Sequence, residues 1–102
     1  MDKIYKLAQG LMKRYPKGVE PYQMATRLAE ECDEVASEIC HWEDSGIKRL
    51  KHGEPSKEKM AGELKNVLSC VIQIAIYYGV KNELEQTIND SLARLKSEGY
   101  ID

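Results

Sequence analysis

Glu30, Glu31 and Glu34 form a compact acidic run, and Glu63 with Asn66 forms a second oxygen-bearing pair further along the chain. Side chains three or four residues apart share one face of an α-helix. Each run can therefore present two oxygen donors in one direction. Two such helices side by side would bring four oxygens together, the surroundings preferred by a hard divalent cation such as Mg²⁺. A cation held in this way suits the handling of a polyphosphate. It offsets phosphate charge and activates a bound water, and a neighbouring carboxylate can take that water's proton.

Single Glu-x-x-Glu pairs are common on solvated helix surfaces, so position has to separate the two readings. At about 100° per residue, Leu28, Cys32, Val35, Ile39 and Trp42 fall within roughly 80° of arc. Glu31, Glu34 and Glu38 gather beside that apolar stripe rather than opposite it, while Glu30 and Asp33 lie further round. Glu63 and Asn66 share a face with Cys70 and Gln73, the polar strip of an otherwise apolar segment. Acids at the edge of a packing seam repel one another unless positive charge lies between them. The residues by themselves leave both readings open, metal ligands or surface acids.

The elements that must position these groups read as four helices. Ile4, Leu7, Ala8, Leu11, Met12 and Tyr15 repeat with helical spacing up to Pro16 and Gly18. Pro21 suits a first turn, followed by the apolar series from Met24 to Trp42. Asp44-Ser45-Gly46 and His52-Gly53-Glu54-Pro55 punctuate a basic connection with Lys48, Arg49 and Lys51, and a short turn of helix fits at 47–50. Ser56 is placed to cap a third helix that runs to Tyr78 and stops at Gly79. From Val67 onward that helix is apolar on most faces and demands cover all round. Four short helices cannot supply it, so a second subunit is expected there. Asn82 and Glu85 suggest a capping box for a fourth helix carrying Leu84, Ile88, Leu92 and Leu95 and ending at Gly99.

With 102 residues the chain suits one domain over 1–102. A charged fraction of 31% and a formal net charge of −2 give no global field favouring nucleic acid or an anionic membrane. No apolar leader or membrane-length run is present. Cys32, Cys40 and Cys70 lack metal-binding or CxxC spacing and read as reduced, buried small side chains. A soluble cytoplasmic protein is the expectation.

Glu30, Glu31 and Glu34, followed after 27 intervening residues (35–61) by Gly62-Glu63-Leu64-Lys65-Asn66, resemble the MazG-like, all-α nucleoside triphosphate pyrophosphohydrolases. That family carries Glu-Glu-x-x-Glu on one helix and Glu-Glu-x-x-Asp on the next. The likeness runs from about Leu7 to Leu95. The first cluster matches in full. In the second, Gly62 stands where the family has Glu and Asn66 where it has Asp.

The resemblance implies an all-α, four-helix bundle-like fold completed by homo-oligomerisation into a dimer or tetramer. It implies hydrolysis of a (d)NTP to the monophosphate and pyrophosphate with Mg²⁺, or Mn²⁺ in its place. Glu31, Glu34, Glu63 and Asn66 would ligate the metal, and Glu30 would orient or deprotonate the water. Arg94, Lys48, Arg49 and Lys51 would bind phosphates, although Ser91 stands where a lysine is often found. Trp42 would stack on the base or pack in the core or at a subunit interface. The two departures keep a second reading alive, a helical interaction module without catalysis. Glu38-x-x-His41 resembles half of a di-iron helical motif, but the only other histidine, His52, falls in a Gly/Pro-rich connection.

Overall fold

The computed structural model describes residues 1–43 and 47–102, with the side chains of 47–49 left outside the description. Among the described residues every regular element is helical: α1 (Asp2–Arg14), a single 3₁₀ turn (Pro16–Val19), α2 (Pro21–Glu43), α3 (Ile47–His52), α4 (Lys57–Tyr78) and α5 (Lys81–Ser97). The punctuation at Asp44, Ser45 and Gly46 lies outside the described residues.

Local chemistry sets most of these boundaries. Tyr15 leaves the helical region at φ −124°, ψ 65°, as a residue before proline tends to. The Glu20 carboxylate accepts the Gln23 N–H at 3.1 Å, tying off the start of α2 ahead of Pro21. The Ser56 hydroxyl accepts the Lys59 N–H at 3.1 Å, and Gly79 closes α4 in the left-handed region at φ +67°.

α5 begins differently from the sequence expectation. Val80 occupies the N-cap position with no side-chain cap, and Asn82 is already inside the helix. Gly79 and Val80 donate back to the Ile76 and Ala75 carbonyls, while the Val80 carbonyl already accepts from Leu84. The stop of α4 and the start of α5 use the same residues, which leaves no linker in which Asn82 could cap.

α4 is the central element, packed against α2 on one side and α1 on the other, with α5 touching it near their junction. Tyr5, Ala8 and Ile72 form the buried cluster between α1 and α4, flanked by Ile4, Ile76 and Leu84. The core is thin. The radius of gyration is 16.9 Å, against the ~13 Å expected of a compact domain of this length. The stripe predicted as the core face of α2 is covered only in part: Met24 is buried, Leu28, Val35 and Trp42 are half-buried, and Cys32 and Ile39 are exposed, Ile39 by 49%. Leu64, Leu68 and Val71 of α4 are likewise open to solvent. The cysteine expectation holds only for Cys70; Cys32 and Cys40 are exposed on the uncovered side, and all three thiols are free. No described helix is long and apolar enough to cross a membrane.

The Tyr5 hydroxyl is buried without a hydrogen-bond partner, while Lys81 Nζ lies 4.5 Å above its ring. Burial, with a smaller push from the Glu85 carboxylate, raises the phenol above its ordinary value of 10. The fold thus prefers the neutral phenol. Its contribution is complete below pH 10 and is lost as pH rises past that value. Tyr5→Phe is expected to be neutral or stabilising at pH 7, because it removes an orphaned hydroxyl. It should also reduce the alkaline fall in melting temperature. A lower Tm at pH 7 would mean that the hydroxyl has a partner.

Candidate functional site along the α2/α4 seam

Two cross-helix contacts fix how α2 and α4 face each other. Lys59 Nζ lies 3.5 Å from Glu38 Oε2, and Arg27 donates to Gln73 Oε1 at 3.2 Å. The helices run antiparallel. Four residues inward from the Glu38/Lys59 pair stand Glu34 on α2 and Glu63 on α4. Three further in stand Glu31 and Asn66, and four beyond those stand Arg27 and Cys70. Positions 27, 31, 34 and 38 form one stripe of α2, and 59, 63, 66, 70 and 73 one stripe of α4. The face that α2 turns toward α4 therefore spans the edge between the two arcs: Arg27, Glu31 and Glu38 from the polar side, with Met24, Leu28 and Val35 from the apolar stripe beside them.

Depth varies along the seam. Ser69, Cys70 and Gln73 are buried, with Gln73 donating to the Ser69 hydroxyl at 3.1 Å. Glu31, Glu63 and Asn66 are half-buried and Glu34 is exposed. The positions face each other, but the carboxylates do not meet at one point. Among the described residues no three His, Cys, Asp or Glu side chains stand in a group able to hold a metal ion. The donors on the seam, three carboxylates and an amide, are all hard oxygen, which suits Mg²⁺ or Mn²⁺ better than a soft metal. Cys70 adds nothing reactive. Burial pushes its thiol up, Arg27 pulls the other way, and Glu31 and Cys32 add to the rise.

The remaining predicted site residues scatter. Glu30 is exposed and leaves the seam, lining a shallow recess with Tyr22, Gln23, Thr26 and Arg27. Arg94 is exposed in the last turn of α5. Lys51 is exposed in α3, while the side chains of Lys48 and Arg49 lie outside the described residues. Trp42 is half-buried in the last turn of α2. A Cβ built on Gly62 would meet nothing within 4 Å, so packing does not demand glycine where the family has Glu.

Two residues acquire a role that the sequence concealed. Arg27 also donates to the Gly18 carbonyl, pinning the 3₁₀ turn to the seam, and a Cβ at Gly18 would come within 2.6 Å of its guanidinium. His52, placed by sequence in a loop, ends α3 and sets its ring edge-on to His41 at 6.1 Å between centroids. Around them a recess of about 220 Å³ is lined by Glu34, Ser37, Glu38, His41, His52 and Lys59. Contacts between α3 and α2 join separate helices, which helical periodicity does not encode. Glu38 with His41 was visible as a motif; its partners were not.

Comparisons of the chain with protein-family models, with curated proteins and with solved structures give no match.

Proposed function

We propose that the chain is a Mg²⁺-dependent nucleoside triphosphate pyrophosphohydrolase, converting a (d)NTP and water to the monophosphate and pyrophosphate. One observation carries this reading: the antiparallel register that sets Glu34 opposite Glu63 and Glu31 opposite Asn66. Glu31, Glu34, Glu63 and Asn66 would hold the cation, which supplies charge neutralisation and water activation when bound. Arg27, at the inner end of the same stripe, draws the helices together and holds the 3₁₀ turn against them. Glu30 stands one position off the stripe and would receive the proton of the attacking water. All three thiols are free, in keeping with a reducing compartment such as the cytoplasm. Incubation with a panel of NTPs and dNTPs plus Mg²⁺ or Mn²⁺ should release monophosphate and pyrophosphate. No turnover at high protein concentration removes the proposal.

The double variant Gly62→Glu/Asn66→Asp tests the two departures from the family pattern. It restores two negative charges, and Gly62 has room for a side chain. Mg²⁺ affinity should rise by roughly tenfold or more, since ligand charge count tunes affinity for hard cations. Calorimetry showing no gain would mean that these positions do not face the metal.

The working form is proposed to be a homo-oligomer, a dimer or tetramer. Ile39 on α2 and Leu64, Leu68 and Val71 on α4 are each exposed, and Leu64 and Leu68 line an apolar recess with Cys32, Val35 and Val67; exposed apolar patches mark interfaces. A second copy is its occupant because the same face would be covered on both partners. Leu68→Glu should convert the assembly to monomer in light scattering and lower its Tm. An unchanged mass would place the interface elsewhere.

A non-catalytic helical module is the second reading, favoured by Gly62, Asn66 and the lack of a gathered metal cluster among the described residues. It requires that Mg²⁺ leave the Tm unchanged, whereas a cation-binding seam is stabilised by its ligand.

A further inference from the structure

We infer that the recess at the α3 end of the seam recognises a nucleobase through an exocyclic amino group, with Glu38 and His41 as its readers. The inference rests on the nucleotide reading above and deepens it to a substrate class. Glu38 is only 3% exposed, yet among the described residues its Oε1 has no hydrogen-bond partner. Its other oxygen faces Lys59 at 3.5 Å. A buried carboxylate oxygen left unsatisfied is costly, and Glu38 is one of the residues lining a polar recess.

His41 sets the chemistry of what fits. Its Nε2 lies 2.8 Å from the Gly53 carbonyl, which only accepts, so Nε2 carries the proton and donates. Gly53 holds that carbonyl in place from the left-handed region, at φ +77°. In the neutral ring Nδ1 is then a lone pair, and it lies 3.8 Å from Glu38 Oε1. Two acceptors thus face each other, too far apart to bond and near enough for one nitrogen to reach both. A primary amino group brings two N–H donors to that point. A carbonyl oxygen in the same place would add a third acceptor. Lys59, which also lines the recess, answers Glu38 Oε2 at 3.5 Å; one cation is already in place there, which disfavours a second and leaves a hydrogen-bond donor for Oε1 as the missing element.

The recess is also placed for such a base. Glu34 lines it and belongs equally to the seam proposed to bind the triphosphate. A nucleotide with its phosphates at Glu31, Glu34 and Glu63 would direct its base one turn along α2, toward Glu38 and His41.

Cytidine and uridine 5′-monophosphates test this, because they share the phosphate and sugar and differ at the amino or oxo edge. Wild-type protein should bind the cytidine compound roughly tenfold to a hundredfold more tightly, the value of one hydrogen bond to a charged acceptor. Long-range ¹⁵N–¹H spectra should show His41 protonated at Nε2, with its Nδ1 resonance moving when the cytidine compound is added and remaining still with the uridine one. Glu38→Gln should erase the preference, since an amide offers donor and acceptor together; the wild-type spectra decide the matter if that variant does not fold.

Equal binding of the two compounds, or an unresponsive Nδ1, overturns the inference, and hydrolysis of triphosphates without base preference would leave the enzymatic proposal standing. Amino preference in binding with no turnover of any triphosphate would do the reverse. A His41 response to Mn²⁺ or Zn²⁺ alone, with the bases indifferent, makes the recess a cation site and also overturns it.

Discussion

Glu34→Gln is expected to lower nucleotide hydrolysis by at least about a thousandfold while leaving the Tm equal to or above that of the parent. Glu34 stands across the seam from Glu63, one turn from the Glu38/Lys59 pair. Replacing its carboxylate with an isosteric amide removes one of the hard anionic ligands proposed for the cation. Lewis-acid stabilisation by a bound metal is worth several kcal/mol, and each ~1.4 kcal/mol is tenfold in rate. The fold loses no hydrophobic contact, and the seam loses one of several like charges. Rate and stability should therefore move in different directions, a combination that a structural role for Glu34 would not give. Steady-state kinetics with Mg²⁺ and a thermal melt provide the two readouts. Turnover within tenfold of the parent would remove Glu34 from the metal set.

Ile72→Ala should cost about 2–5 kcal/mol, the range for deleting a large buried aliphatic side chain. Ile72 is 4% exposed and is the α4 contribution to the cluster with Tyr5 and Ala8. Because that cluster is small, few neighbours remain to close the cavity. Small domains lie at the low end of the 5–15 kcal/mol stability range, so the variant should be largely unfolded at 37 °C. Urea unfolding is the measurement, with the midpoint falling and the slope unchanged. A loss below about 1 kcal/mol would mean that α1 does not hold Ile72 against the bundle.

Much of the architecture was legible because helix signals are local. Pro16, Pro21, Ser56 and Gly79 each act through their own backbone geometry, and each marks a boundary in the structure. Asn82 misled for the same reason: a cap needs a linker, and the junction at Gly79 and Val80 removes it. Periodicity put Leu28, Val35 and Trp42 on the core side, where they are half-buried, but gave no sign that Glu31 and Glu38 of the neighbouring arc would be drawn in while Ile39 stays exposed. A wheel shows which residues share a face. It does not show how far the contact with the partner helix extends past the apolar arc into the acidic one beside it. Arg27, His41 and His52 were illegible as a group because their contacts join residues on different elements, which helical spacing does not relate.

The shared turn between α4 and α5 has a mechanical consequence. With Gly79 and Val80 bonded back to α4 and Val80 already accepting from Leu84, no slack remains to act as a hinge. α5 leaves the body at a fixed bearing, and swinging it would require the last turn of α4 to unwind. A load applied to the far end of that arm is carried directly into the helix that bears Glu63 and Asn66.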